Sequence, residues 1–219
     1  GVLDDPTSAT PVYTPVDVIG TQTVTLDVVV SDGAATVSGE LSLQVTDADP
    51  PQQSQQLLFE DFASGDLDGW SILDEGEKVN PSKWRVDSGE LVQLSNIWGG
   101  SSSASELPKP GTYLLYDAGM GWLDYRVSLD VRTDDNDGLG VMFRYSDDDN
   151  YYRFSWDRQR SYRRLVKKAG GVFTELAADS IPYVVGQSYH LELVAQGSQL
   201  EVWVDGLRIF QVTDDAHQQ

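Results

Sequence analysis

Residues 134–168 read DDNDGLGVMFRYSDDDNYYRFSWDRQRSYRRLVKK, and the reading of this stretch decides the fold. Val141, Phe143 and Tyr145 alternate with Met142, Arg144 and Ser146, and Tyr152, Phe154 and Trp156 then alternate with Arg153, Ser155 and Asp157. A period of two with rings on one side is the pattern of half-buried antiparallel strands. The stretch therefore predicts a sheet with one face in a core and one face showing. SDDDN predicts a turn, because Asp and Asn bond their own backbone and tolerate left-handed conformations. A second turn at RQRS leads from Trp156 to a third strand, YRRLVKK.

With 219 residues, 40% of them hydrophobic, the chain is long enough to bury a core, as one large domain or two small ones. No run approaches the ~18 apolar residues of a membrane-spanning helix. Cysteine is absent, which removes disulfide and thiol chemistry and leaves metal ions as the available staple. His190 and His217 are the two histidines, so a His-rich transition-metal centre or a Ser-His-Asp triad is hard to assemble. The net charge of -20 argues against nucleic acid and for divalent cations as partners. No signal peptide begins at Gly1, so the expectation is a mature or excised piece.

Residues 1–50 hold no Lys or Arg, a break in composition that predicts a separate β module. Val24, Leu26, Val28 and Val30 alternate in TQTVTLDVVVSDG, which reads as a strand ending at a Ser-Asp-Gly turn, and ATVSGELSLQVTD follows as the next. Together with GVLDDPTSATPVYTP these strands resemble the second half of a PKD-type, immunoglobulin-like repeat. Two or three strands are not stable alone, so another surface is expected to cover them. DADPPQQSQQ is polar and aperiodic, giving a linker over 51–56 and a second module over 57–219.

In that module LLF reads as a short strand, Trp70 and Ile72 lie on another, and SKWRVDSGELVQLSN is a hairpin about Ser88-Gly89. GTYLLYD and DYRVSLDVRTDD are further strands, the latter with Tyr125, Val127, Leu129 and Val131 inward. After the central stretch, GGVFTELA, SYHLELVAQ, LEVWVDG and LRIFQVTD recur with turns at Gly170-Gly171, Gly197-Ser198 and Asp205-Gly206. No helical period is present, and strands at this spacing predict an all-β antiparallel sandwich. The ordered set F-E-D-F-x-x-G-D-L-x-G-W, W-R-V-x-x-G-E-L-V-Q, G-L-G-V-M-F-R-Y-x-D-x-D-N-Y-Y-R-F and L-x-V-x-V-D-G resembles the concanavalin A-like jelly rolls of the laminin-G/thrombospondin C-terminal type. The likeness implies a jelly roll found in secreted bacterial proteins, and calcium at strand-end loops. Such domains continue beyond the last segment here, so the final strands are expected from residues 20–47, another chain or the rest of a longer polypeptide.

Glycoside hydrolysis needs paired carboxylates, and jelly-roll glucanases carry them as E-x-D-x-E on one strand. No such triplet occurs. Asp124 with Asp130 and Glu192 is the nearest set, better read as solvent-facing charge, and no enzyme is expected. Calcium wants about six to eight oxygen ligands in relaxed geometry, which suits short acidic loops. Asp134, Asp135 and Asp137 form one such loop, and Glu60, Asp61, Asp66 and Asp68 another. The bland alternative is an ordinary acidic loop. Arg153, Arg158, Arg160, Arg163, Arg164, Lys167 and Lys168 hold seven of fifteen cationic side chains. Arg153, Arg158, Arg163 and Arg164 are candidates for binding anionic glycans through guanidinium forks. Cross-strand pairing with Asp147, Asp148, Asp149 and Asp157 is the structural alternative. Trp98 and Trp122 flank glycines in loops and are candidates for stacking on sugars, whereas Trp70, Trp84, Trp156 and Trp203 sit at strand positions and read as core.

The sequence thus predicts a calcium-stabilised, non-catalytic carbohydrate-binding or adhesion module of a larger secreted or cell-surface bacterial protein. Its partner is a neutral or anionic polysaccharide or glycoconjugate. The alternatives are an accessory domain of a secreted hydrolase and a subunit of an extracellular filament built by strand exchange.

Overall fold

The computed structural model describes residues 2–8, 10–14, 21–31, 33–46, 55–79, 81–100 and 109–217. Two compact units are present, Gly1–Glu60 and Asp61–Gln219. The expected linker at 51–56 falls largely outside the described residues.

The N-terminal unit contains β1 (Val2–Leu3) and β2 (Tyr13–Thr14), which pair briefly, and a long antiparallel hairpin of β3 (Thr21–Ser31) and β4 (Thr36–Thr46). Register sets Val24 opposite Leu43, Leu26 opposite Leu41 and Val30 opposite Val37, so one face of the hairpin is apolar. Thr25, Asp27, Ser42 and Glu40 fall on the other. This is the alternation read from the sequence, in a sheet of two strands.

The second unit carries β5 (Trp70–Asp74), β6 (Trp84–Asp87), β7 (Glu90–Gln93), β8 (Thr112–Tyr116), β9 (Tyr125–Arg132), β10 (Leu139–Asp147), β11 (Asn150–Asp157), β12 (Tyr162–Ala169), β13 (Val172–Asp179), β14 (Ser188–Gln196), β15 (Gln199–Val204) and β16 (Leu207–Thr213). Two four-stranded antiparallel sheets, in the orders β10-β11-β12-β13 and β16-β15-β14-β9, face each other across the core of a sandwich. Smaller pairs, β5-β8 and β6-β7, complete the unit. Residues 57–59 do not form the short strand expected of LLF; the first strand of this unit begins at Trp70. Phe59 is exposed and so has no sheet face to pack on.

Pleating explains the core directly. Phe143, Tyr152, Phe154, Trp156 and Leu165 project from one sheet, and Leu191, Leu193, Ala195, Leu200, Val202, Val204 and Phe210 from the other. Tyr125, Val127, Leu129 and Val131 of β9 pack against them at the edge. Leucine-sized side chains buried in this way contribute about 1.5–3 kcal/mol each. Two close approaches demand glycine. A Cβ on Gly140 would overlap the carbonyl of Phe154 on β11, and one on Gly76 would meet Ile97 and the backbone of Trp98. Gly140→Ala is expected to cost about 1–3 kcal/mol, the usual penalty of overpacking, read as a lower thermal midpoint. An unchanged midpoint would mean that β10 can back away from β11.

Arg144 breaks the alternation. Where β10 bulges, between Phe143 and Asp147, it takes a left-handed conformation (φ 46°) and turns its guanidinium inward. There it donates to the carbonyls of Leu123 and His217, both at 3.0 Å, and to Asp124 Oδ1 at 3.2 Å. The segment after β16 is tied down further along: Asp214 accepts from Tyr152 Oη at 2.6 Å and from Lys167 Nζ at 2.5 Å.

Candidate functional site

The outer face of the β10–β13 sheet follows from register. Tyr151 pairs with Lys168 and Lys168 with Phe173; Arg153 pairs with Val166 and Val166 with Glu175; Ser155 pairs with Arg164 and Arg164 with Ala178. Aromatic and cationic side chains thus gather toward the end of the sheet nearest the Asp147–Asn150 turn. Tyr145 stacks on Tyr151 at 5.9 Å, Tyr113 of β8 tilts against Tyr145 at 6.1 Å, and Phe173 meets Tyr151 edge-on at 6.0 Å.

Glu75 sits among these rings. The backbone N–H groups of Glu75 and Gly76 both donate to the carbonyl of Gly111, at 2.9 Å, and the segment locks onto Trp98 through paired backbone hydrogen bonds with Lys78. Glu75 Oε1 accepts from Lys168 Nζ at 3.2 Å and Tyr151 Oη at 3.3 Å. Glu75 Oε2 lies 3.8 Å from Arg153 Nη1, too far for a hydrogen bond. Glu75 Oε2 and Arg153 Nε are both shielded from solvent and have no hydrogen-bond partner among the described residues. Lys168 lies over Phe173 at 5.2 Å, and Arg153 lies over the same ring at 5.7 Å. Val79, one residue beyond the Lys78 bridge, is held at φ 61°, a strained conformation for a β-branched residue.

Asp148 accepts hydrogen bonds from Tyr145 Oη at 2.6 Å and Tyr113 Oη at 3.3 Å. Burial, reinforced by Glu75 and Asp148, pushes the Tyr113 hydroxyl far above its ordinary value. Burial and the bond to Asp148 do the same for Tyr145, and burial is the chief cause for Tyr151. All three stay protonated at neutral pH and can donate. At the other end of this face a shallow depression of about 320 Å³ is lined by Arg160, Tyr162, Arg164, Glu175 and Asp179, among others.

The residues singled out in the sequence are dispersed. Arg153 belongs to the Glu75 cluster, and Trp98, 46% exposed, stands on the loop that locks the Glu75 segment. Trp122 is half-buried in a chain of rings with Tyr116 and Tyr125, at 5.8 and 5.9 Å. The arginines are engaged within the protein: Arg158 donates to the carbonyl of Tyr183 at 2.8 Å, and Arg163 forks onto Asp179 at 2.5 to 3.1 Å. Arg164 lies over Tyr162 at 4.0 Å and 3.4 Å from Glu175. Arg163 and Arg164 thus find carboxylates on β13 and Arg153 and Lys168 meet Glu75, while among the described residues the expected turn carboxylates take Arg160, through Asp157 at 2.9 Å, and Lys168, through Asp149 at 3.6 Å. The Gly170-Gly171 turn read from the sequence lays β13 alongside β12, and the register of that hairpin decides which of its carboxylates meet the arginines.

Nor do the acidic clusters converge. Among the described residues no three His, Cys, Asp or Glu side chains form a group that could hold a metal ion. Asp134 lies 3.7 Å from Arg132, and Asp135 Oδ1 accepts from the N–H of Asn136 at 2.7 Å. Burial, and then Asp135 and Asp157, push the Asp137 carboxyl up. Asp61 and Asp66 cap the N–H groups of Ala63 and Asp68, at 3.0 and 3.1 Å, in their own loop, which also carries Asp68. Glu60 falls at the end of the N-terminal unit. Glu75, Tyr113, Lys168 and Phe173 were missed as site residues, since each comes from a different element.

Residues 54–219 match the family model of the 3-keto-alpha-glucoside-1,2-lyase-like domain. The chain belongs to this family. A search of the curated proteins found no match. Among solved structures, this lyase-like domain is similar to the carbohydrate binding module CBM66 from Bacillus subtilis, with 19% identity, 68% of this chain and 82% of that chain covered, and a TM-score of 0.48. It is similar to sheep galectin-11 in complex with glycerol, at 17% identity, 45% and 77% coverage and a TM-score of 0.39. Domain 4 of an extracellular arabinanase from Geobacillus stearothermophilus, in complex with arabinotriose, gives 15% identity, 66% and 65% coverage and a TM-score of 0.39.

Proposed function

We propose that the lyase-like domain is a carbohydrate-binding module whose ligand is a neutral glycan, held on the outer face of the β10–β13 sheet about Glu75. One observation carries this reading: an unsatisfied acceptor, Glu75 Oε2, and an unsatisfied donor, Arg153 Nε, lie under a set of tyrosine rings. Sugar hydroxyls donate and accept, so they suit both kinds of atom, while the partly exposed rings of Tyr113 and Tyr145 supply apolar faces for the pyranose. An anionic ligand suits the site less, because the cations already have carboxylate partners. The family's name, which refers to a keto-glucoside, supports a sugar as the ligand class. In this reading the module belongs to a larger extracellular protein, with residues 1–50 as half of a PKD-type module and 51–56 as a linker. Adhesion follows if the ligand is a cell-surface glycan.

Isothermal titration with neutral gluco-oligosaccharides, backed by a glycan array, tests it. Glu75→Gln and Tyr145→Ala are each expected to weaken binding about tenfold or more, since hydrogen bonds to charged groups contribute about 1.5–3 kcal/mol. Raising salt from about 50 to about 500 mM should change the affinity less than twofold, exposed charge attraction being the component that salt screens. Binding of sulfated or uronate chains alone, abolished by salt, would replace the neutral ligand with an anionic one. Turnover of a 3-keto-alpha-glucoside, lost in Glu75→Gln, would replace binding with catalysis.

Calcium enters this reading as a structural ion at the Asp134–Asp137 loop, where burial, and then the charges of Asp135 and Asp157, push the Asp137 carboxyl up and a cation would offset both. Asp137→Asn removes the repulsion and should raise the thermal midpoint in EDTA while abolishing any calcium response. A midpoint identical in calcium and EDTA for the unmodified chain would eliminate the ion.

A further inference from the structure

The opposite sheet holds a second arrangement of chemical groups. His190 of β14 lies directly across from Asp130 of β9, and Ser128 is two residues along β9 on the same face. The imidazole bridges the two: Nδ1 lies 2.7 Å from Asp130 Oδ1 and Nε2 lies 3.0 Å from Ser128 Oγ. A carboxylate at Nδ1 draws the ring proton to that side, which leaves Nε2 as an acceptor for the serine hydroxyl. Nucleophile, base and orienting carboxylate are therefore linked in the sequence that hydroxyl activation requires. The histidine backbone is fixed as well. Its N–H donates to Asp205 Oδ1 and its carbonyl accepts from the N–H of Asp205, both at 2.8 Å. A triad that two histidines made improbable in the sequence is assembled by the register of two strands.

We infer that Ser128, His190 and Asp130 form a nucleophilic site that takes small acyl esters. Ser128 Oγ attacks the ester carbonyl carbon and passes its proton to His190 Nε2. The tetrahedral intermediate then expels the alkoxide, which leaves with that proton. Water, deprotonated by the same nitrogen, attacks the acyl-serine, and its collapse returns the hydroxyl to Ser128 and releases the carboxylic acid. No redox partner is required. Arg126, two residues before Ser128 on β9, is held at 2.9 Å by Glu192, which lies directly across from Ser128, so the pair neutralises itself beside the nucleophile. Ester access is unobstructed, since Ser128 and His190 are both exposed. The same exposure limits the rate. Asp130 is 81% exposed, so water competes for its charge, and a base acting in this way contributes toward the low end of its range, about 100-fold.

The test uses the full chain with 4-nitrophenyl acetate, following nitrophenolate release and the intact mass of the protein. The expected result is an acetyl adduct on Ser128 and a release rate about 100-fold above that of Ser128→Ala. His190→Ala loses the same rate, and added imidazole restores part of it beyond the gain it gives with Ser128→Ala, which a change in folding would not allow. Asp130 is a positioning residue: Asp130→Asn lowers the rate at neutral pH and Asp130→Glu retains part of it. Equal rates for the unmodified chain and Ser128→Ala, or an acetyl group found only at another residue, overturn the inference. All three side chains are on the surface, so matching thermal midpoints will show that the variants remain folded.

Discussion

Replacing Arg144 with alanine is expected to lower the stability of the second unit by about 3–5 kcal/mol, from two backbone carbonyls left without a donor and the cavity it vacates. Its side chain is fully buried, and its guanidinium satisfies two backbone carbonyls that lie on different segments, at Leu123 and His217. Truncation leaves both carbonyls without a donor, at about 1–3 kcal/mol each, and opens a cavity beside the bulge. Part of the loss is offset because alanine removes the cost of burying a charge. For a unit of this size about 1 kcal/mol corresponds to roughly 2–4 °C, so the midpoint should fall on the order of 10 °C by calorimetry or circular dichroism. Arg126→Ala, which removes a solvent-exposed partner of Glu192, is the control and should cost under about 1 kcal/mol. Equal shifts for the two variants would show that the bulge is not held by Arg144.

Asp214→Asn is the second large effect, and it carries a pH signature. Burial works against the Asp214 carboxylate, but hydrogen bonds from Lys167, Tyr152 and the N–H of Ala216 outweigh it and hold its pKa below the ordinary value of 3.8. A carboxyl whose folded pKa is depressed stabilises the fold above its unfolded pKa, and that contribution is lost as pH falls through the folded value. The gap in stability between the unmodified chain and Asp214→Asn should therefore be widest at neutral pH, about 2–3 kcal/mol for hydrogen bonds to a charged group. It should narrow once pH drops below about 4. Chemical denaturation at pH 7 and at pH 3 measures both. A gap that is the same at the two pH values would mean that the charge of Asp214 is not what binds the terminal segment to Tyr152 and Lys167.

The strands and their turns were legible in the sequence because each is fixed by neighbours two residues apart. Tyr152, Phe154 and Trp156 point into the core, and Arg163 and Arg164 part to opposite faces, as period two requires. The turns at Ser88-Gly89, Gly170-Gly171 and Asp205-Gly206 needed only residues that accept left-handed backbone, and the turn at Asp148-Asp149 forms without it. LLF failed as a strand, since an apolar run does not by itself provide a partner to pair with.

Register between strands and contacts between segments decided what concerns chemistry. Arginine-rich β12 reads as a binding surface until β13 is laid beside it and supplies Glu175 and Asp179. Glu75 is unremarkable in LDEGEK, and it acquires Lys168, Tyr151 and Arg153 as neighbours only when the sheet forms beneath it. His190 and Asp130, 60 residues apart, meet through a single cross-strand register. By itself the sequence determined an all-β sandwich, the inward and outward sides of its strands, and an acidic surface without thiols. Tertiary structure alone determined which charges neutralise one another and which polar atoms lack a partner, because side-chain electrostatics depends on distances of a few ångströms between residues whose separation along the chain carries no such information.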